Sequence, residues 1–161
     1  MITAALLEEA AALLNACRAA GVKLATAESC TGGLIAGVLT AIAGASDVVE
    51  RGFVTYSNEA KAELLGVSME LIRAEGSVSE PVAQRMAEGA LQHSRADLAI
   101  SVTGVAGPGG GSVEKPVGLV WFGVARSGRP TISERQVFPG DRTAIRIAAV
   151  DRAFALIRAR L

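Results

Sequence analysis

The chain has 161 residues, enough for one domain that buries roughly two thirds of the surface its unfolded form would expose. Hydrophobic residues make up 50% and aromatics only 4%, so the core has to be built from Ala, Val, Leu and Ile on closely approaching elements. Sixteen Lys and Arg balance sixteen Asp and Glu, which argues against a nucleic-acid or anionic-membrane partner, and no run of about eighteen uncharged apolar residues is present to span a bilayer.

Between Ala4 and Ala20, the residues Leu6, Leu7, Ala10, Leu13, Leu14 and Cys17 recur at intervals of three and four, predicting an amphipathic helix closed by Gly21. Glu8 and Glu9 in this opening stretch, with no cationic leader, argue against a secretory signal. Cys17 and Cys30 are therefore expected to be free thiols of a reduced, cytoplasmic protein. A strand is predicted over 22–26 and a buried, nearly all-apolar helix from Leu34 to about Ile42, broken by Gly44-Ala45-Ser46-Asp47. Gly52 to Tyr56 reads as a second strand, and Ser57-Asn58-Glu59 as the cap of a helix from Ala60 to Leu65. A short helix over 69–74 precedes Ser79-Glu80-Pro81, which opens a helix reaching about Arg95.

Asp97 to Thr103 reads as a third strand, Val117 to Ala125 as a fourth and Thr131 to Phe138 as its antiparallel partner, before a last helix from 142 to the end. Strands alternating with helices, then a hairpin and a helix, imply an α/β protein. The expected form is a three-layer α/β/α sandwich with a mixed, mostly parallel sheet, as a single domain over 1–161. Gly104 to Lys115 is the one long irregular segment. It follows a strand but leads to another strand and not to a helix, so it fails the context of a dinucleotide-binding loop and reads either as a wall or lid of a pocket or as an exposed loop.

Ligands of a largely parallel sheet sit beyond the carboxyl ends of its strands. If the first three strands are parallel, the turns carrying Glu28, Ser29, Cys30 and Thr31, then Tyr56, Asn58 and Lys61, then Thr103 and Gly104, share one rim. The turn Thr26-Ala27-Glu28-Ser29-Cys30-Thr31-Gly32-Gly33 places hydroxyls and a glycine pair at a helix start, where free N–H groups suit a nucleophile or an anion. A plainer reading makes Ser29 or Thr31 the helix N-cap. The single histidine, His93, falls near the end of a surface-type helix, so a Ser–His–Asp triad is not expected. One His and two separated Cys offer no metal-ligand spacing.

A serine nucleophile then needs a lysine, because arginine does not deprotonate. Of Lys23, Lys61 and Lys115, only Lys61 stands one helical turn beyond a strand end on the proposed rim. It would need burial to lower its pKa, helped by the helix N-terminus; the alternative is a solvated helix residue. Tyr56, the only tyrosine, is a candidate to relay the proton or hold the lysine, or else a half-buried strand residue. Cys30 reads as a small buried side chain pointing the other way. Arg142 and Arg146, spaced i, i+4, either clamp a phosphate or solvate a helix face.

The runs Thr26–Gly33, Gly52-Phe53-Val54-Thr55-Tyr56-Ser57-Asn58-Glu59-Ala60-Lys61, Gly107-Pro108 through Glu114-Lys115-Pro116-Val117-Gly118, and Phe138-Pro139-Gly140-Asp141-Arg142 together resemble the CinA C-terminal domain family over about residues 21–155. The chain resembles the stand-alone form of that domain. The resemblance implies an anticodon-binding-domain-like α/β/α fold, no metal or cofactor, and a homodimer or other homo-oligomer. Enzymatic members are nicotinamide mononucleotide deamidases of pyridine nucleotide recycling, so the implied activity is hydrolysis of that nucleotide to nicotinic acid mononucleotide and ammonia. By motif position the nucleophile falls on Ser29, the base on Lys61 and an assisting role on Tyr56. Substrate contacts are expected from Glu28, Cys30, Thr31, Gly32, Gly33, Asn58, Thr103, Gly104, Arg142 and Arg146. The alternatives are a catalytically silent nucleotide-binding or regulatory module and a hydrolase of another small amide.

Overall fold

The computed structural model describes residues 2–161, whose elements follow the predicted order. Helix α1 (Ala4–Ala20) starts where the Thr3 hydroxyl accepts the Leu6 amide. It ends at Gly21, whose φ of 67° lets the Gly21 and Val22 amides turn back to the Arg18 and Cys17 carbonyls. Val22 is therefore taken up in closing the helix. Strand β1 (Leu24–Glu28) accordingly begins two residues later than expected and carries Glu28 as its last residue.

Helix α2 (Leu34–Thr40), a 3₁₀ turn at Ala45–Asp47 and strand β2 (Val49–Val54) follow. Strand β2 begins and ends earlier than its apolar pattern suggested. It is an edge strand on which Glu50 and Arg51 pair with each other, and Thr55 and Tyr56 lie beyond its end. Helices α3 (Asn58–Leu65), α4 (Met69–Glu75) and α5 (Glu80–Gln92) lead to β3 (Leu98–Gly104), β4 (Leu119–Arg126), β5 (Arg129–Val137) and α6 (Arg142–Arg158). Helix α5 stops three residues short of Arg95, because His93 takes the C-cap position with its Nδ1 2.8 Å from the Gly89 carbonyl.

The five strands form one sheet in the order β2-β1-β3-β4-β5. β1 is parallel to both neighbours, whereas β3–β4 and β4–β5 are antiparallel, so β4 alone runs against the rest of this mixed sheet. Side chains alternate across it. Leu24, Leu98, Ile100 and Val102 face a core shared with α1, α2 and α6, while Ala25, Ala27 and Ala99 face a second core under α5 and its neighbours. The α5 face is built from small residues so that the helix can approach closely: a Cβ on Gly123 would sit 2.3 Å from the Ala83 carbonyl oxygen, and only glycine permits that contact.

The chain leaves β1 for β2 on one side and returns as β3 on the other. Strand order thus reverses at β1 and β3, and the crevice outside their carboxyl ends is the place where an open α/β sheet binds ligands.

Candidate active site

The turn after β1 is held by its own backbone. The Ser29 amide donates to the Val102 carbonyl at 2.9 Å, the Gly32 amide returns to the Ser29 carbonyl at 3.0 Å, and Gly32 and Gly33 take φ values of 59° and 94°. Neither Ser29 nor Thr31 caps α2, contrary to the plainer sequence reading; Gly33 occupies the N-cap without a side-chain bond. The cap comes from Glu28 instead. Its fully buried carboxylate accepts the Ile35 amide at 2.8 Å, the Ala36 amide at 3.0 Å and the Thr26 hydroxyl at 3.2 Å, placing a negative charge at the positive end of the helix.

Glu28 therefore points toward α2. Ser29 follows on the opposite face, continuing the Ala25, Ala27 alternation toward the side where α3 lies. Lys61 sits in the first turn of α3, which begins four residues after β2 with the Ser57 hydroxyl accepting the Ala60 amide at 3.0 Å. Its Nζ is 3.1 Å from Ser29 Oγ and 2.9 Å from the Thr55 carbonyl oxygen, which accepts an N–H. The residue is 1% exposed, and no carboxylate pairs with its amine among the described residues. Burial pushes the Lys61 pKa down from its ordinary value, with the neighbouring Cys30 opposing. A neutral amine so placed holds one N–H on Thr55 and can turn its lone pair to the serine hydroxyl.

Ser29 and Lys61 open into a cavity of about 190 Å³. Cys30, Thr103 and Gly104 line it from the ends of β1 and β3, and Tyr56 and Arg142 stand at its wall. Arg142 donates to the Tyr56 hydroxyl at 3.0 Å and to the Gly107 carbonyl at 2.8 Å. Tyr56, 63% exposed, does not stand between serine and lysine, so the direct contact leaves no relay for its hydroxyl to make. A recess of about 500 Å³, walled by Pro108, Val117 and the start of α6, adjoins through Ala106 and Arg142. Together the two spaces reach the range of small-molecule sites.

Several expected contacts lie elsewhere. Glu28 faces α2, Asn58 is exposed at the first position of α3, and Thr31, Gly32 and Gly33 form the turn without lining the cavity. Arg146 is not aimed at the cavity either: its Nε and Nη2 donate to the Cys30 and Thr31 carbonyls at 3.1 and 2.9 Å. The Cys30 thiol is buried in the α2 core beside Gly104, and desolvation pushes it up to about 12, so it stays protonated near neutrality. His93, at the end of α5, is not among the cavity residues.

Sequence reasoning passed over Ser77 and Val78, which also line the cavity, as does Ala106 from the segment expected as a wall or an exposed loop. Ser77 and Val78 belong to the connection between α4 and α5 and follow no strand. They reach the rim because the Thr103 hydroxyl donates to the Ser77 carbonyl at 2.7 Å. Among the described residues no group of three His, Cys, Asp or Glu stands close enough to hold a metal, and no helix is long and apolar enough to cross a membrane.

Fold and turn geometry together define an α/β/α protein with a serine–lysine pair at the reversal of strand order. Residues 7–161 match the model of the CinA C-terminal domain, and the chain belongs to that family. It is 55% identical over 142 residues to the nicotinamide-nucleotide amidohydrolase PncC of Escherichia coli K12, covering 88% of this chain and 85% of that protein. A CinA-like protein of Akkermansia muciniphila is 53% identical over 133 residues, which cover 83% of this chain but 32% of that longer protein. The crystal structure of the competence/damage inducible protein CihA from Agrobacterium tumefaciens superposes with a TM-score of 0.95 at 46% identity, over 99% of this chain and 97% of that one.

Proposed function

We propose that the protein hydrolyses the carboxamide of nicotinamide mononucleotide to nicotinic acid mononucleotide and ammonia, through an acyl-enzyme on Ser29 with Lys61 as base. One observation carries the reading: a buried lysine without a carboxylate partner, its pKa lowered, 3.1 Å from a serine hydroxyl at the mouth of the sheet. The amide and the nucleotide both follow from the name of the Escherichia coli relative, since a serine–lysine pair supports acyl transfer and names no particular acyl donor.

In the proposed reaction neutral Lys61 takes the Ser29 proton as Oγ bonds to the carboxamide carbon. The carbonyl oxygen becomes an oxyanion beside the amide of Cys30, the residue that follows Ser29 and lines the cavity. The Lys61 ammonium returns its proton to the departing nitrogen, which leaves as ammonia. Water, deprotonated by the same amine, then attacks the ester carbon; the proton passes to Ser29 Oγ and the acid is released. Tyr56 and Arg142 hold the nucleotide at the mouth, with the ribose phosphate in the recess at the start of α6. The proposed role is that of a cytoplasmic homodimer in pyridine nucleotide recycling.

Ammonia release and acid formation with nicotinamide mononucleotide, set beside free nicotinamide and a dinucleotide, test the assignment. Turnover confined to the mononucleotide supports it. Tight binding without ammonia selects a regulatory module, and preference for another amide selects a different hydrolase.

A further inference from the structure

The proposed chemistry leaves unexplained why a half-buried arginine from the far end of the chain is bonded to the turn that carries Ser29. Arg146 lies in the second turn of α6, and its guanidinium reaches two successive carbonyls, those of Cys30 and Thr31, across 116 and 115 residues. It also packs on Gly32, where an added Cβ would lie 3.5 Å from Nη2. Both carbonyls belong to buried residues. The Thr31 carbonyl also receives the Leu34 amide, but the Cys30 carbonyl has no other donor among the described residues.

A trans peptide is planar, with its C=O and N–H pointing in opposite directions. Fixing the Thr31 carbonyl on Arg146 therefore fixes the Gly32 N–H on the side away from the guanidinium. A cation on the carbonyl oxygen also polarises the peptide and makes that N–H a stronger donor. The Ser29 carbonyl is held in the same way by the Gly32 amide, which orients the Cys30 N–H. The Cys30 amide directly follows the proposed nucleophile, on a residue that lines the cavity, the position from which an oxyanion is held.

We propose that Arg146 is a positioning residue that sets the oxyanion-binding Cys30 amide through the carbonyls of the turn, and is not a ligand of the substrate. The inference rests on the serine–lysine reading and adds a second requirement to it. A planar guanidinium presents its N–H groups to two adjacent carbonyls in a fixed fork, a geometry that a compact ammonium on a flexible stem does not hold.

The test measures kcat and KM for nicotinamide mononucleotide in Arg146→Lys, Arg146→Met and Arg146→Ala beside wild type and Ser29→Ala, with thermal unfolding of each. The expected result is a loss in kcat of about ten- to a hundredfold in the Lys and Met variants, as for other supporting residues behind a site, with KM within about threefold of wild type. Low millimolar guanidinium should restore part of the rate of Arg146→Ala, and the pH midpoint of the remaining activity should not move. A rise in KM with kcat retained would make Arg146 a substrate ligand and overturn the proposal. So would an unchanged kcat, or a rate loss that only follows loss of folded protein, with Arg146→Lys deciding if the other two do not fold. An active Ser29→Ala variant removes the underlying reading, whereas an inactive one beside fully active Arg146 variants removes this inference alone.

Discussion

Lys61 meets Ser29 because β1 and β2 are parallel neighbours whose carboxyl ends coincide: Glu28 pairs with Val54, and the Thr55 amide continues the ladder to the Glu28 carbonyl at 2.8 Å. Residues 32 apart in sequence thus leave the sheet at one edge. The period of two puts Ser29 on the α3 side, and the first turn of α3 delivers the amine. The Thr55 carbonyl then fixes its direction. Each step is a backbone consequence, so the pair is preformed before any ligand arrives.

The lowered pKa of Lys61 predicts a pH dependence of both rate and stability. Between the folded value and the ordinary lysine value the unfolded chain binds the additional proton, so the Lys61 contribution to stability rises with pH across that window and its penalty is complete below it. Activity should rise with pH through the folded value, where the amine of the folded protein deprotonates, and level off above it while stability continues to rise. Rates and urea midpoints measured from about pH 6 to about pH 9 check this, with Lys61→Met expected to lose the rate and to flatten that part of the stability profile. A flat rate profile in a wild-type enzyme limited by chemistry would contradict the assignment of Lys61.

Glu28 should matter first for stability. Its carboxylate satisfies two amides of α2 and the Thr26 hydroxyl in a fully buried position. Removing it in Glu28→Ala leaves those donors unpaired, at a cost of about 2–4 kcal/mol, against about 1–2 kcal/mol for Glu28→Gln, which keeps one of the two acceptor oxygens. For a chain of this length the alanine variant should lose on the order of 5–15 °C in Tm. Equal Tm values for wild type and Glu28→Ala would show that the cap contributes nothing.

Cys30 adjoins the nucleophile but should be chemically silent. With its thiol pushed up to about 12 by burial, it should resist alkylation at neutral pH in the folded protein and react only on unfolding. Cys30→Ala keeps the backbone amide and should retain activity within about tenfold. Rapid labelling with parallel loss of activity would move the nucleophile from Ser29 to Cys30.

The elements whose pattern reports their own burial were legible. The helix Ala4–Ala20 carries its apolar stripe and terminal glycine in sequence, and the strand–turn–helix around Ser29 is marked by the glycine pair. Ser29 and Lys61 emerged because the chain holds so few bases, which is a statement of composition. What was not legible rests on backbone partners, which leave no trace in side-chain pattern. Glu28 binds amides of α2, Arg146 binds carbonyls of the turn, and Ser77 is brought in through its own carbonyl by Thr103. Spacing i, i+4 placed Arg142 and Arg146 on one face but said nothing of their partners, and only Arg142 reaches the cavity. Edge strand β2 was displaced in the sequence reading because charged residues are tolerated where one side of a strand has no neighbour.

The most direct measurement is ammonia release from nicotinamide mononucleotide by Ser29→Ala and Lys61→Met at a pH where wild type is fully active, with folding verified by circular dichroism. The account predicts a loss of about a thousandfold or more in each variant and a double variant scarcely worse than either, because the two groups act as one unit. A rate within about tenfold of wild type in either folded variant would contradict it.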